Sequence, residues 1–200
     1  MANIGSVQIA NMALSHVGAK SSIEALSESS PEARQANLWY DHCRLQVLEA
    51  SDWSFARKRL LLALHGEAPP TGIWAYRYQY PADCIFARRI VNPISKSSDQ
   101  VPFDIEVDST GETKTILTDS EEAVLIYTKD VSNPTLFSNL FVDALSHLLA
   151  SYIGYSPTGT MATKTKEFEL YAALLSLASA GNANEQAAAP MRDAPWITGR

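Results

Sequence analysis

The chain has 200 residues, of which 46% are hydrophobic, and a formal net charge of −6. This size and composition predict a folded protein with a substantial core. The net negative charge argues against nucleic-acid binding over a broad surface, because such binding depends on Lys and Arg. We find no apolar run of about 18 residues that would span a membrane, no signal-peptide pattern, and only two cysteines, Cys43 and Cys84, which we interpret as buried thiols.

Residues 1–72 predict the first part of a helical bundle. Apolar residues from Val7 to Val17 recur at three- and four-residue steps, and Gly18 follows as a suitable helix stop. Ser30 is a suitable N-cap for a second helix that runs to about residue 50.

The segment SDWSFARKRLLLALHG, residues 51–66, predicts a third helix that stops at Gly66 and buries Trp53, Phe55 and the Leu60 to Leu64 run. It carries a basic triplet, Arg57, Lys58 and Arg59. The triplet is compatible with a solvated surface, with contacts to DNA phosphates, or with an acidic partner face.

Residues 73–130 predict an antiparallel β-sheet insertion, because the pattern changes to a period of two from Trp74. Five segments, WAYRYQY, CIFARRIV, PFDIEV, ETKTILT and EAVLIYT, are separated by turn-forming residues, which is typical of a meander. Between the third and fourth segments, DSTG places Gly111 where a hairpin turn needs it.

An aromatic stripe lies on the first of these segments. Tyr76, Tyr78 and Tyr80 occupy alternate positions with Arg77 between them. Rings interleaved with a cation are compatible with base stacking, but a sheet with one wet face also needs an inward stripe on each strand. We favour the inward stripe.

Residues 131–186 predict the second part of the bundle. Asn133 and Pro134 mark a helix start, and a wide apolar stripe continues to Ile153. A last helix is predicted to pair antiparallel with this one, with apolar positions at Met161, Phe168, Tyr171, Leu175 and Ala178. Residues 187–200 form an extended C-terminal tail, so the predicted fold class is α+β.

Two segments resemble chemical motifs without completing them. Gly154 and Gly159 have P-loop spacing, but the required lysine and the preceding strand are missing. Asp41, His42 and Cys43 are neighbours on a helix and point about 100° apart, so they do not form a relay.

Asp143 and His147 lie four residues apart on a predicted helix, and we interpret them as a surface ion pair. No motif for a hydrolase or a metal site is present. The sequence therefore predicts no enzyme activity, no catalytic residues, no cofactor and no metal.

Charge is segregated along the chain. Acidic residues crowd positions 104–122, whereas several basic residues precede them. Such segregation favours internal pairing or contacts between subunits.

Three segments resemble the head-to-tail adaptor, or tail tubular protein A, family of short-tailed (podoviral) bacteriophages. They are NMALSHVGA, SDWSFA and WAYRYQYPADC, and ALSHLLASYI and the Trp-bearing tail are similar as well. The resemblance spans essentially the whole chain in the same order. Asp52 and Ser54 stand where the family pattern has Pro and Asn, which indicates a distant relative.

The resemblance implies a structural virion protein that forms a ring, dodecameric in the virion, between the portal protein ring and the tail nozzle protein. Genomic DNA would pass through its channel without specific binding. No membrane is involved, and the expected location is the virion tail, at the head-tail junction, after assembly in the host cytoplasm.

If the chain is such an adaptor, we expect four sets of contact residues. The portal or a neighbouring subunit is expected to contact Met191, Arg192, Trp196, Ile197 and Arg200. The nozzle is expected to meet the loop residues Lys96, Ser97, Ser98 and Asp99. The channel candidates are Glu112, Asp119, Glu121 and Glu122, and the subunit-contact candidates are Arg57, Lys58 and Arg59.

The alternative is a nucleic-acid-binding regulatory protein. It would use the basic triplet on a helix together with the aromatic strand, and it predicts salt-sensitive binding by the monomer.

Overall fold

The computed structural model describes residues 4–91, 101–153 and 161–185, and over these ranges it contains four α-helices and two small antiparallel sheets. The predicted α+β class is confirmed. The predicted tail, residues 187–200, lies outside the described residues.

The first two helices begin and end where the sequence predicts. Helix α1 (Ser6–His16) is followed by Gly18, whose φ of 73° is the left-handed conformation that glycine adopts readily. Helix α2 (Pro31–Ala50) begins with a side-chain cap, because the Ser30 hydroxyl accepts a hydrogen bond from the Ala33 N–H at 3.2 Å.

The predicted third helix is wrong, and so is the predicted burial of its Leu60 to Leu64 run, in which Leu60, Leu61 and Leu64 are exposed. A single 3₁₀ turn (Ser54–Ala56) leads into strand β1 (Arg57–Leu61). The basic triplet therefore lies on a strand within residues 1–72, which the sequence assigned wholly to helices. Trp53 is buried as predicted, and its indole N–H donates to the Val47 carbonyl at 2.7 Å.

Five further strands follow: β2 (Tyr76–Gln79), β3 (Cys84–Val91), β4 (Phe103–Val107), β5 (Lys114–Thr118) and β6 (Val124–Lys129). The strands were predicted, but their order was not. One sheet has the order β1-β6-β3 and the other β2-β5-β4, so the meander prediction is wrong except for the β4–β5 hairpin. That hairpin turns at Gly111, with φ of 74°, as predicted.

Backbone bonds join the two sheets at both edges. Residues that continue β1 bond to β2, through His65 N–H to Arg77 O at 2.8 Å and Gln79 N–H to Ala63 O at 2.9 Å. On the other side, Val101 bridges to Ile90 of β3. The strands enclose a core of their own, and its members include Leu62, Tyr78, Ala87, Ile90, Ile116, Ala123, Leu125 and Tyr127.

Two helices complete the bundle. A 3₁₀ turn (Pro134–Leu136), capped by Asn133, precedes helix α3 (Asn139–Ile153), and helix α4 (Met161–Glu185) follows. His147, six residues before the end of α3, contacts Glu167, six residues after the start of α4. The two helices therefore fold back on each other, as the antiparallel prediction requires.

Two arginines, the buried Arg44 and the half-buried Arg88, connect the bundle to the sheets. Arg44 of α2 bonds to Asp41, Asp130 and the Val131 carbonyl, at the point where the chain leaves β6. Arg88 of β3 donates to three carbonyl oxygens at the C-terminal end of α2: those of Leu48 at 3.1 Å, Glu49 at 2.8 Å and Ser51 at 2.7 Å. The Leu48 and Glu49 carbonyls lack partners within their own helix, so Arg88 supplies the missing donors. Ser51, just after the helix, also accepts from the Trp53 N–H at 3.1 Å.

Candidate functional site

Helix α4 carries large apolar side chains away from the core as well as towards it. Tyr171 and Ala178 face the core, whereas Phe168 is 50% exposed and Leu177 is 61% exposed. We call the exposed set the outer surface of α4; its members lie on two flanks of the helix, Met161 and Phe168 on one and Leu170 and Leu177 on the other. A helix that is apolar on more than one face is typical of a buried helix. This surface therefore suits contact with another chain.

The basic triplet is largely paired within the chain. Arg57 forms an ion pair with Asp52 at 2.9 Å, and Lys58 forms one with Asp83 at 2.8 Å. Arg59 is exposed. Two of the three candidate subunit contacts are therefore already engaged inside this chain.

The aromatic stripe faces inward, as we favoured. Tyr78 is 1% exposed and its hydroxyl donates to the carbonyls of Ser120 and Glu121. Tyr76 and Tyr80 are half-buried against the sheet core. A base cannot stack on the buried ring of Tyr78, so this strand does not present a continuous row of exposed rings.

Arg77, which looked like the cation of such a platform, is also buried. Its guanidinium lies 3.0 Å from a carboxylate oxygen of Glu67 and 3.9 Å from one of Glu106. The segregated charges of the sequence are thus partly explained by pairing inside the fold.

The four channel candidates are all exposed, but they do not gather in one place. Asp119, Glu121 and Glu122 lie in the β5–β6 turn, whereas Glu112 lies in the β4–β5 turn. Strand β5, five residues long and so roughly 17 Å, separates the two turns. Asp119 also accepts a hydrogen bond from the Ala75 N–H at 2.9 Å.

Two predicted contact sets lie outside the described residues. They are the nozzle-facing loop, Lys96, Ser97, Ser98 and Asp99, and the tail residues Met191, Arg192, Trp196, Ile197 and Arg200. The P-loop-like glycines, Gly154 and Gly159, lie outside them too.

The sequence Asp41-His42-Cys43 does not assemble a reactive group. Asp41 pairs with Arg44, and Cys43 is fully buried, which raises the pKa of its thiol to about 12. Cys84 is half-buried, and burial raises its pKa as well. A thiol that stays protonated at neutral pH is a poor nucleophile.

A cluster of three titratable side chains, which the sequence analysis missed, lies between three helices. The Nδ1 of His147 on α3 lies 2.6 Å from the Oε2 of Glu167 on α4. The ring of His16, at the end of α1, stacks on that of His147 with centroids 4.1 Å apart and planes 17° apart. One potential ligand atom of each residue lies within 4.8 Å of the others. We call this group the histidine cluster.

The predicted Asp143–His147 ion pair is replaced by the pair between His147 and Glu167. A signal for this partner exists in the sequence. Glu167 lies four residues before Tyr171, on the stripe of α4 that faces the core, and its side chain is only 5% exposed. A carboxylate in that position needs a buried partner.

Ser146 contacts both His16 and its own helix. Its Oγ lies 3.2 Å from His16 Nε2 and 2.9 Å from the Asp143 carbonyl oxygen. When the hydroxyl donates to that carbonyl, its oxygen accepts from His16 Nε2 in the tautomer that carries its proton there. Burial lowers the pKa of His16, and the neighbouring His147 lowers it further.

No protein-family model matches this chain, and no curated protein matches it either. Over residues 4–91, 101–153 and 161–185, none of the helices has both the length and the apolar character that crossing a membrane requires.

Proposed function

We propose that this chain is a head-to-tail adaptor of a short-tailed bacteriophage, a structural protein that forms a ring between the portal and the tail nozzle. The observation that carries the proposal is the ordered resemblance of NMALSHVGA, SDWSFA and WAYRYQYPADC to that family. The ring would lie at the head-tail junction of the virion and continue the DNA channel.

The residues of the resemblance hold separate elements together, as packing residues would. Asn11 clamps the chain after α1, because its side-chain oxygen accepts from the Ile23 N–H at 2.8 Å while its amide donates to the Ile23 carbonyl at 2.9 Å. Asp83 joins two strands through Lys58 and the Tyr127 hydroxyl, the latter at 2.7 Å. Proteins that share these residues are expected to share these contacts and therefore the fold.

The architecture supports the same proposal. A helical bundle with antiparallel sheets inserted between its halves is what the resemblance implies, and this chain has that element order. The outer surface of α4 supports assembly, since an apolar surface of this kind is stabilised when a neighbouring subunit or the portal covers it.

The acidic turns support a channel role. Carboxylates repel the phosphate backbone, so DNA slides past an acidic wall instead of binding to it. Because Asp119, Glu121 and Glu122 lie in one turn, we place that turn at the channel and treat Glu112, at the other end of β5, as a separate position. A ring structure with this turn on its outside would overturn the assignment.

The experiment is to mix the purified chain with the portal ring of the same phage and to measure mass by light scattering. The expected result is one stable complex that contains many copies of this chain. A portal ring that elutes unchanged at low and moderate salt would refute the proposal, and DNA binding by the monomer would then be measured.

Two variants locate the contacts. Truncation after Ala189 removes the candidate tail contacts, and Phe168→Asp places a charge on the outer surface of α4. Leu38→Asp is the matched control for the second variant, because Leu38 is 63% exposed on α2. We expect the truncation and Phe168→Asp to reduce complex formation and Leu38→Asp to leave it unchanged; equal loss in both aspartate variants would exclude a specific role for α4.

A further inference from the structure

The histidine cluster combines the ligands of a transition-metal site. Two imidazoles and one carboxylate are a donor set that Zn²⁺ accepts in open sites, with a water in the remaining position. Ca²⁺ and Mg²⁺ prefer sites made of oxygen ligands. We propose that His16, His147 and Glu167 bind a divalent ion of the zinc class and thereby join α1, α3 and α4.

The positions of the donors are close to those that such an ion requires. Donor atoms around tetrahedral Zn²⁺ lie about 3.3 Å apart, as bonds of about 2.0 Å imply. The pair His147 Nδ1 and Glu167 Oε2, now 2.6 Å apart, must open slightly. The most distant pair, within 4.8 Å, must close by about 1.5 Å at most, which side-chain rotation provides.

His16 is the residue that must move. An ion lies in the ring plane of each imidazole that binds it, so two parallel rings 4.1 Å apart cannot both hold it. His16 is exposed at the end of α1, where only the stacking on His147 and the contact with Ser146 oppose a rotation of its ring, whereas Glu167 is held in the interior. Metal binding is therefore expected to end the stacking of the two rings.

The environment of the cluster favours a cation. Besides Glu167, the charged groups that act on His16 are Asp143 and Lys166, so the carboxylates outnumber the ammonium group. In the tautomer that donates from Nε2 to Ser146 Oγ, 3.2 Å away, His16 keeps the lone pair on Nδ1. Ligating histidines are commonly held by such a bond from the second nitrogen. When the ion binds His147 Nδ1, any proton on that nitrogen moves to Nε2 or to solvent.

The test is to treat the full chain with a chelator and titrate it with Zn²⁺ against a chromogenic competitor, with Co²⁺ absorption as a second readout. We expect one ion per chain, and an affinity at least about tenfold lower in His16→Ala and in Glu167→Gln. His42→Gln, an exposed histidine of α2, is the control and should bind as the wild type does. Mg²⁺ should not compete.

The outcomes are distinct. Absence of stoichiometric Zn²⁺ binding, or equal affinity in Glu167→Gln and His42→Gln, would overturn the site. If Glu167→Gln does not fold, as circular dichroism would show, the exposed His16→Ala variant decides. In the wild type, the imidazole NMR signals of His16 and His147 should both shift on Zn²⁺ addition, and shifts confined to His42 or His65 would count against the proposal.

Discussion

Arg88 gives the most direct test of how the bundle and the sheets are held together. We predict that Arg88→Met lowers the free energy of unfolding by about 3 kcal/mol. The substitution keeps a long apolar stem but removes the guanidinium, which donates to Leu48, Glu49 and Ser51 of α2 and, at 2.8 Å, to Thr128 of β6.

The magnitude follows from counting the bonds that this geometry allows. One nitrogen, Nη2, serves all three carbonyls, and it has two N–H groups. With the bond from Nε to Thr128, the guanidinium makes about three charge-assisted bonds, worth roughly 1.5–3 kcal/mol each. Burial opposes the charge and lowers the pKa of Arg88, and the helix end is partly rehydrated in the variant. We therefore expect the loss in the free energy of unfolding to be less than about half of the three bond energies added together.

Equilibrium unfolding in guanidinium chloride, followed by tryptophan fluorescence, measures this change. A loss of about 3 kcal/mol corresponds to a fall of roughly 6–12 °C in Tm for a chain of this size. Arg88→Lys, which keeps the charge but has no planar fork, should lose about half as much. Arg59→Met, the same change at an exposed position of β1, is the control. If Arg88→Met and Arg59→Met change the free energy of unfolding by the same amount, the bonds from Arg88 to the end of α2 do not stabilise the fold.

Three further predictions concern the two cores and one turn. Phe141→Ala should cost about 3–5 kcal/mol in urea unfolding, because Phe141 is fully buried edge-on to Trp53; a loss below about 1 kcal/mol would contradict that packing. Gly111→Ala should cost about 1–2 kcal/mol because of its φ of 74°, whereas Gly66→Ala, where no positive φ is needed, should cost less. Cys43 should resist a thiol reagent at pH 8 until the protein unfolds. Since its pKa is raised to about 12, its contribution to stability is present below the ordinary thiol pKa and is lost as the pH rises towards 12; rapid modification of the native protein would refute this.

The helix ends could be predicted because their signals lie in neighbouring residues. The elements that the sequence analysis assigned wrongly depend on contacts between residues that are far apart in the chain. Ser30 with Pro31 and the stop at Gly18 act on neighbouring residues, so one segment of sequence contains all the information. Residues 57–61 read as a helix because Arg, Lys and Leu are good helix formers. Pairing with β6, more than 60 residues away, overrides that propensity.

The same distinction explains the sheet order and the histidine cluster. Turn spacing identified each strand, but it cannot tell whether β2 pairs with β3 or with β5. The four-residue rule suggested Asp143 as the partner of His147, whereas Glu167 arrives from the next helix. Helix pairing was predictable from the two apolar stripes, but the contact between individual polar residues required the structure.

The distribution of charge in the folded chain bears on the proposed channel. Arg44, Arg57, Lys58 and Arg77 each pair with carboxylates of this chain, and Arg88 is directed at backbone carbonyls. Cations that are paired and partly buried contribute little to the field outside the protein, whereas the acidic residues of the β5–β6 turn are exposed. That turn therefore presents three exposed carboxylates, Asp119, Glu121 and Glu122, within a short stretch of chain. A turn that presents exposed carboxylates suits the proposed channel surface, since it offers phosphate groups repulsion in place of a binding site.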